Sequence, residues 1–539
     1  MEIYLGLTRV KNSKLNIKGY AENVSDIHEL VFRNNANAAS INISMETEGP
    51  EADPTALYVE NGNLYAKIRK SAAESGRYNF EISVDAGEDI IEFPAEISFQ
   101  KFSSLSDDRK AILSSGYKIW YKGNRLLAKK ASAIDKFSVK LSLGLHYLKT
   151  HQKVFLNRLC VRDTEEKIWL YCDRENLIDN GYYQFLHDIK KNDGIKRYYL
   201  TSEDIREKYF SPSERENVIL FRSEEHKKLF FACEKIISAF NSVSIYSPFG
   251  SDPTAFYYDL THYDFIYLQH GVLHANLPDM YAKENANVDK VVISSEFERE
   301  NFQKNYGYAA DDLIDCGMAR YDFTDKAAKA KRKILFSPSW RGNLIGAYKN
   351  NKRELLPDVF LQSEFYKETQ AFLLSPELHK LLEENDLILD FKNHPIFAGY
   401  NDLFKVESDR ITISSGDTVT DDYLVMITDY SSIVFDFVYL QRPIIYFVPD
   451  YDDFKNGISH GYNKLDLPLE DGFGELTLDA NGLLSELKAS VQRDFLAEKK
   501  YLNKMESFFI HNDKKQRERL YEYLLNRKKI EKNIKNFAK

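Results

Sequence analysis

Two histidines stand where short apolar runs end. His270, in Gln269-His270-Gly271, follows Phe265–Leu268, and His394, in Lys392-Asn393-His394-Pro395, closes the run Leu387–Lys392. An imidazole at such a place can take a proton from a hydroxyl when neutral, or bind phosphate when charged. A strand-end histidine also often serves only as a satisfied structural group, and that reading stays open at both positions. Cations and hydroxyls occupy loops of the same kind: Arg320 in Arg320-Tyr321-Asp322, Ser339, Trp340 and Arg341 in Ser337-Pro338-Ser339-Trp340-Arg341, and Lys392 beside His394. Gly271 permits close backbone approach next to the first histidine. Several cations and N–H donors spread over separate loops suit an anion with separated charges, and a diphosphate is the simplest candidate.

These loops need strands behind them. Leu424–Ile427 reads as a buried strand, broken at Thr428–Ser431 and followed by an apolar helix containing Ile433, Val434, Phe435 and Phe437. Ser431 or Ser432 is the expected N-cap, which would aim free backbone N–H groups and the positive helix end past the strand. Strands are expected at Ile168–Cys172, Tyr198–Leu200, Val218–Leu220, Val243–Tyr246, Phe265–Leu268, Val291–Ile293 and Leu313–Cys316, with helices at Tyr182–Ile189, Glu225–Phe240 and Glu296–Tyr306. A second series runs through Ile334–Ser337, a helical stretch at 363–385, Leu387–Lys392, Val425–Thr428 and Ile444–Val448. Alternating β and α units imply doubly wound parallel sheets, here two Rossmann-like halves that break near Asp322–Lys333. Anionic ligands of such sheets bind in the crevice beyond the strands' carboxyl ends.

The expected organisation has five parts. Residues 1–103 are β-rich, with short alternating segments such as Lys14–Tyr20, Ile41–Met45, Leu57–Glu60, Tyr78–Val84 and Ile90–Phe99, and suggest a small β-sandwich. Residues 104–162 hold a basic segment: from Lys118 to Arg158 there are about ten Lys and Arg against one acidic residue, Asp135. With Trp120, Tyr121, Phe137 and scattered Leu, it reads as one or two basic amphipathic helices suited to an anionic membrane surface, or as a linker with solvated lysines. Residues 163–325 and 326–505 are the two Rossmann-like domains, and 506–539 is a C-terminal helix with a basic tail.

Composition narrows the class. Of 539 residues, 29% are charged and 43% hydrophobic, with a net charge of −9, which argues against a general nucleic-acid binder. Cys160, Cys172, Cys233 and Cys316 are scattered without a CxxC pair, so neither a disulfide framework nor a zinc site is expected. Polar, strand-like sequence follows Met1, so no signal peptide is expected, and no apolar run reaches the ~18 residues that span a bilayer. Neither GxxxxGK(S/T) nor GxGxxG occurs, which disfavours P-loop kinases and ordinary dinucleotide dehydrogenases. No DxD-type cluster stands out, and no protein-held metal or other cofactor is expected.

The set QHG (269–271), GMARYD (317–322), SPSWR (337–341), KNHP (392–395) and TDYSSIVFDF (428–437) resembles the CDP-glycerol glycerophosphotransferase family, the teichoic acid and capsule polymer enzymes with a GT-B-like fold. The resemblance runs over about residues 165–500, in order and spacing, and extends to the β-rich region and basic segment ahead of it. It implies His270 and His394 as the catalytic residues. It also implies donor contacts from Gly271, Arg320, Ser339, Trp340, Arg341, Lys392, Asn393, Ser431, Ser432 and Asp436. Ala319 stands where proline is usual, Ser337 where threonine or methionine is common, and Val272-Leu273 where many members have Thr-Pro. The implied reaction moves glycerol phosphate from CDP-glycerol to a hydroxyl of a lipid-linked acceptor at the cytoplasmic membrane face, releasing CMP. The alternatives are CDP-ribitol as donor, a primase adding one unit, a nucleotide-sugar glycosyltransferase or epimerase on the same scaffold, and a non-catalytic polymer-binding module, against which the two intact histidines weigh.

Overall fold

The computed structural model describes residues 166–525 apart from 250–260, 262, 284–285, 327–328, 350–351 and 416–417, together with shorter runs, mainly strand backbone, between residues 2 and 141. From Ile168 the chain builds a seven-stranded sheet whose neighbours are all parallel. In chain order its strands are Ile168–Cys172, Lys196–Thr201, Val218–Leu220, Lys235–Ser238, Asp264–Tyr267, Lys290–Ile293 and Leu313–Asp315. The third, second, first and fourth lie side by side in that order, and the rest follow in sequence. This is the Rossmann winding, with the direction of build-up reversing between the first and fourth strands.

The period-2 rule explains why these strands are apolar throughout. Ile168, Leu170 and Cys172 face one core cluster, while Trp169 and Tyr171 between them face another on the opposite side of the sheet. The second half repeats the plan with six strands: Lys333–Phe336, Ile388–Asn393, Ile411–Ser415, Val425–Thr428, Ile444–Phe447 and Glu475–Thr477. They too are wound third, second, first, fourth, fifth, sixth. Ile334, Phe336, Val425 and Ile427 fill one face, and Leu335 and Met426 the other. That second face shares one cluster with Val272, Ala275, Met318 and Tyr321 of the first half, so the two halves are joined by a common core. The helix at 516–525 returns to the first half, where Leu520 and Leu524 pack in one cluster with Trp169 and Tyr171.

Several expectations change. The helix expected at Glu225–Phe240 stops at Ala232, and Lys235–Ser238 is a fully buried strand; a short apolar run has no periodicity that separates helix from strand. Val243–Tyr246, expected as a strand, is one helical turn after Ser242. The strands Ile411–Ser415 and Glu475–Thr477 were not anticipated. Ahead of the Rossmann halves, four strands form one sheet and seven another, and the second continues past residue 103 through Ile112–Ser114, Tyr117–Lys122 and Arg125–Lys130. The basic amphipathic helix expected from Lys118 is therefore a β-hairpin at its start. Lys122 pairs with Arg125, and the Gly-Asn dipeptide between them in sequence is of the kind that favours hairpins. Helix begins only at 133–139, where Ser132 and Asp135 cap each other. The stretch 142–158, the strand expected at Ile41–Met45 and the basic tail beyond 525 lie outside the described residues.

Candidate active site

The loops leaving the carboxyl ends of the two sheets meet. His270 follows Asp264–Tyr267, and its predecessor Gln269 is held at φ 60°, a left-handed conformation uncommon for a residue with a side chain. Buried contacts impose it: Gln269 Nε2 donates to Val292 O and Glu298 Oε1, both at 2.7 Å, and its carbonyl accepts from Asn180 Nδ2 at 2.7 Å. Asn180 also accepts the Arg320 backbone N–H at 2.9 Å, so one buried amide ties the His270 and Arg320 loops together. The His270 ring opens to solvent and stacks on Phe240, with centroids 4.9 Å apart and planes 19° apart. The surrounding protein, then the charges of Arg174 and Arg320, push its pKa down to about 4. It is therefore neutral at pH 7 and can accept a proton.

His394 follows Ile388–Asn393 in the second half. Its Nδ1 accepts from Ile396 N at 3.2 Å, which leaves the proton on Nε2, and its ring lies 6.3 Å from that of Trp340. Burial lowers its pKa as well, with Arg174 acting the same way and Asp429 opposing. Gly271 lies against Ser432 of the second half; a Cβ there would stand 2.8 Å from Ser432 Oγ and 3.2 Å from its Cβ, so a larger residue would force Ser432 to shift. Arg320 crosses between the halves, donating to Asp436 at 2.7 Å and to the His270 carbonyl at 3.0 Å, with Asp179 at 3.4 Å. Burial lifts the Asp179 carboxyl to about 7, with Arg320 opposing the rise.

Other expected donor ligands are placed differently. Arg341 is fully buried: its Nε and Nη2 each donate to Asp450 at 2.9 Å, Nη1 pairs with Asp429, and the group stacks on Phe365. With two carboxylates it braces the loops from behind and has no face left for a donor. Asn393 is buried and turned towards Asn401 Oδ1 at 2.9 Å. Ser431 and Ser432 do not cap the helix, which spans Val434–Leu440 with Ile433 before it and no side-chain cap. A turn from Ser431 to Val434 precedes it, and Asp436 in the first helical turn already pairs with Arg320. Ser339 remains at the rim, its N–H donating to Asp429 at 2.8 Å and its hydroxyl 3.2 Å from His460 Nε2. Trp340 and Lys392 are half-buried on the same side.

Sequence reasoning passed over Arg174, Asp179, Asn180, Phe240 and His460. Arg174 follows the expected strand Ile168–Cys172, so the rule that selected His270 and Arg320 would have selected it too, whereas Phe240 closes a stretch expected as helix, which hides its place after the strand Lys235–Ser238. His460 carried no signal, because it reaches Ser339 from a loop outside the strand ends. That loop also straps the halves together. Asp466 accepts from Asn276 at 2.7 Å, Asn301 at 3.1 Å and Tyr306 at 2.7 Å, all in the first half.

Comparisons with known proteins agree with this geometry. A family profile described as CDP-glycerol:poly(glycerophosphate) glycerophosphotransferase matches residues 155–526. The minor teichoic acid biosynthesis protein GgaB of Bacillus subtilis (strain 168) is 26% identical over 465 residues, 80% of this chain and 49% of that protein. The teichoic acid poly(ribitol-phosphate) polymerase of Bacillus spizizenii is 30% identical over 200 residues, 33% of this chain and 29% of that protein. The chain thus spans about half the length, or less, of these curated relatives. A solved structure of the wall teichoic acid polymerase TagF matches with a TM-score of 0.51 at 16% identity, covering 75% of this chain and 100% of that one, a likeness of fold. With more than half its length inside the family profile, and with both histidine loops at the meeting of two Rossmann sheets, the chain belongs to the CDP-glycerol:poly(glycerophosphate) glycerophosphotransferase family.

Proposed function

We propose that this protein transfers glycerol phosphate from CDP-glycerol to a hydroxyl of a lipid-linked teichoic acid or capsule acceptor, extending the polymer and releasing CMP. The observation that carries this reading is a pair of neutral imidazoles, His270 and His394, one at a strand end of each sheet in a member of this family. The acceptor oxygen attacks the phosphorus that bears glycerol, and its proton passes to His270. The bond from that phosphorus to the bridging oxygen breaks, and CMP departs with the electron pair. His394, with its proton on Nε2, is suited to stabilise the phosphate or the departing CMP. Such transfer is mostly positioning and charge stabilisation. Binding of anionic phosphate beside His270 would raise its pKa towards the working range of a base.

CDP-ribitol is the second reading, because the relative named as a poly(ribitol-phosphate) polymerase is 30% identical over its matched residues. Incubation with CDP-glycerol, CDP-ribitol and UDP-sugars separates the readings. CMP release from CDP-glycerol supports the first, CMP from CDP-ribitol alone the second, and release of UDP would overturn both. Product length on a gel separates a polymerase from a primase.

A lipid-linked acceptor would require contact with the membrane. Among the described residues no helix is long and apolar enough to cross one. We assign surface docking to the basic segment, where Ile134 and Phe137 are 80% and 68% exposed one helical turn apart, next to exposed Lys130 and Lys136. Lys118 and Lys129 contribute less, since both pair with Asp135. Sedimentation with anionic vesicles should pellet the wild type and lose Ile134→Ser/Phe137→Ser and Lys130→Glu/Lys136→Glu. Equal pelleting of all three would leave the segment as a linker.

A further inference from the structure

We propose that Arg174 is the cation that grips the phosphoryl group in transit, an assignment that rests on the donor reading above. Arg174 leaves the strand Ile168–Cys172, and Phe240 leaves Lys235–Ser238. These two strands are neighbours at the point where the winding of the first sheet reverses. The crevice between such loops is where doubly wound sheets hold their ligands.

The charges of the site point to the same residue. Arg320 is shared between Asp179 and Asp436, and Arg341 between Asp429 and Asp450. Each guanidinium expected to meet the diphosphate is thus already paired with two acidic side chains. Arg174 is exposed, and among the described residues no carboxylate pairs with it. The adjacent Asp173 is turned inward, where it accepts the N–H groups of Asp179, Gly181 and Tyr182 and the Tyr199 hydroxyl. The Arg174 guanidinium packs over Phe240, 4.5 Å from the ring centroid, and the same ring stacks on His270. Packing on an aromatic face fixes the plane of the guanidinium and keeps its N–H edge for a ligand. Its charge opposes protonation of His270 and also of His394, so it acts on both histidines although they belong to different halves. A fork of N–H donors that shares an aromatic platform with His270, and whose charge reaches both neutral imidazoles, has the charge and shape for the non-bridging oxygens of a phosphate. Because it stands on the His270 side, the phosphate it takes is the one attacked by the acceptor, not the one that leaves in CMP.

The test uses the full chain with Arg174→Ala and Arg174→Lys. Arg174→Ala should lower kcat/KM for CMP release from CDP-glycerol by ~100- to 1,000-fold, the usual cost of losing one donor to transition-state charge. Its CMP affinity should stay within about two-fold, which also shows that it is folded; Arg174→Lys should recover part of the loss, having the charge without the fork. Removing the cation should also move the acid limb of the pH profile upward, since Arg174 disfavours the charged form of both histidines and a merely structural residue would leave the limb in place. A CMP affinity that falls as far as turnover, or an unmoved acid limb, would overturn the assignment. A readout independent of the donor is NMR titration of His270 with inorganic phosphate. Phosphate should raise its pKa in the wild type and much less in Arg174→Ala, and an equal rise in both overturns the role of Arg174. If wild type releases no CMP from either CDP-polyol while the phosphate effect still depends on Arg174, the donor reading fails and the anion site stands.

Discussion

Each side chain at the meeting of the sheets matters through its protonation state and its partners more than through its type. His270 and His394 are both held neutral by the protein packed around them, and nearby guanidinium groups act in the same direction. Arg341, which by type looks like a phosphate ligand, is spent on Asp429 and Asp450. His270→Ala and His394→Ala are each expected to lower turnover by ~100-fold or more, the scale of acid–base catalysis, with little change in melting temperature. CMP release by purified variants measures this, and near-normal release from either would remove that histidine from the chemistry.

At the scale of elements, the two loop sets are held at a fixed separation by contacts that need small or turned-in residues. Gly271 is the clearest, because Ser432 Oγ would lie 2.8 Å and Ser432 Cβ 3.2 Å from an added Cβ. Gly271→Ala should push the His270 loop from the second half and cut turnover at least ~10-fold; misplacement by an ångström can cost more. Ser432→Gly in the same chain removes both clashing atoms, so the double variant should regain activity beyond the sum of the single effects. Additive losses in this cycle would place the effect of Gly271 elsewhere. The hairpin Tyr117–Lys122/Arg125–Lys130 teaches a related lesson: the cations and aromatics of the basic segment suggested a helix, but at its start two strands pair in register from Lys122–Arg125 to Tyr117–Lys130.

For the molecule as a whole, two Rossmann sheets, a shared core and a returning C-terminal helix make stability depend on buried histidines outside the pair proposed for catalysis. His226 is fully buried, its Nδ1 accepting from Arg222 N and its Nε2 meeting the Tyr246 carbonyl, and burial lowers its pKa to about 4. His274, between the halves, is likewise lowered to about 4 by burial. An unfolded histidine binds its proton near pH ~6.5, so between that pH and about 4 the unfolded chain holds more protons than the folded one. Their contribution is complete above the unfolded value and is lost as the pH falls through the folded one. Denaturant midpoints should therefore drop between pH 7 and pH 5, and the drop should be smaller in His226→Gln. Equal slopes in the two proteins would show that His226 titrates alike folded and unfolded.

The sequence by itself determined the two Rossmann halves, the order of the loops that carry chemistry, and the histidines at their strand ends. These follow from local rules: apolar strands of four to six residues, the breaks after them, and the polar residues at the breaks. The strand Val425–Thr428 and the helix Glu296–Tyr306 fall where the pattern puts them. Only the tertiary structure decided which charges are available. Whether Arg341 meets a ligand or two carboxylates depends on Asp429 and Asp450, which lie about a hundred residues away in the chain. The neutrality of His270, the bond between Arg320 and Asp436, and the fit of Gly271 against Ser432 likewise arise between segments that meet only after both sheets have formed. Local pattern places a side chain at a strand end, but its charge state and free partners depend on how the two halves close around it.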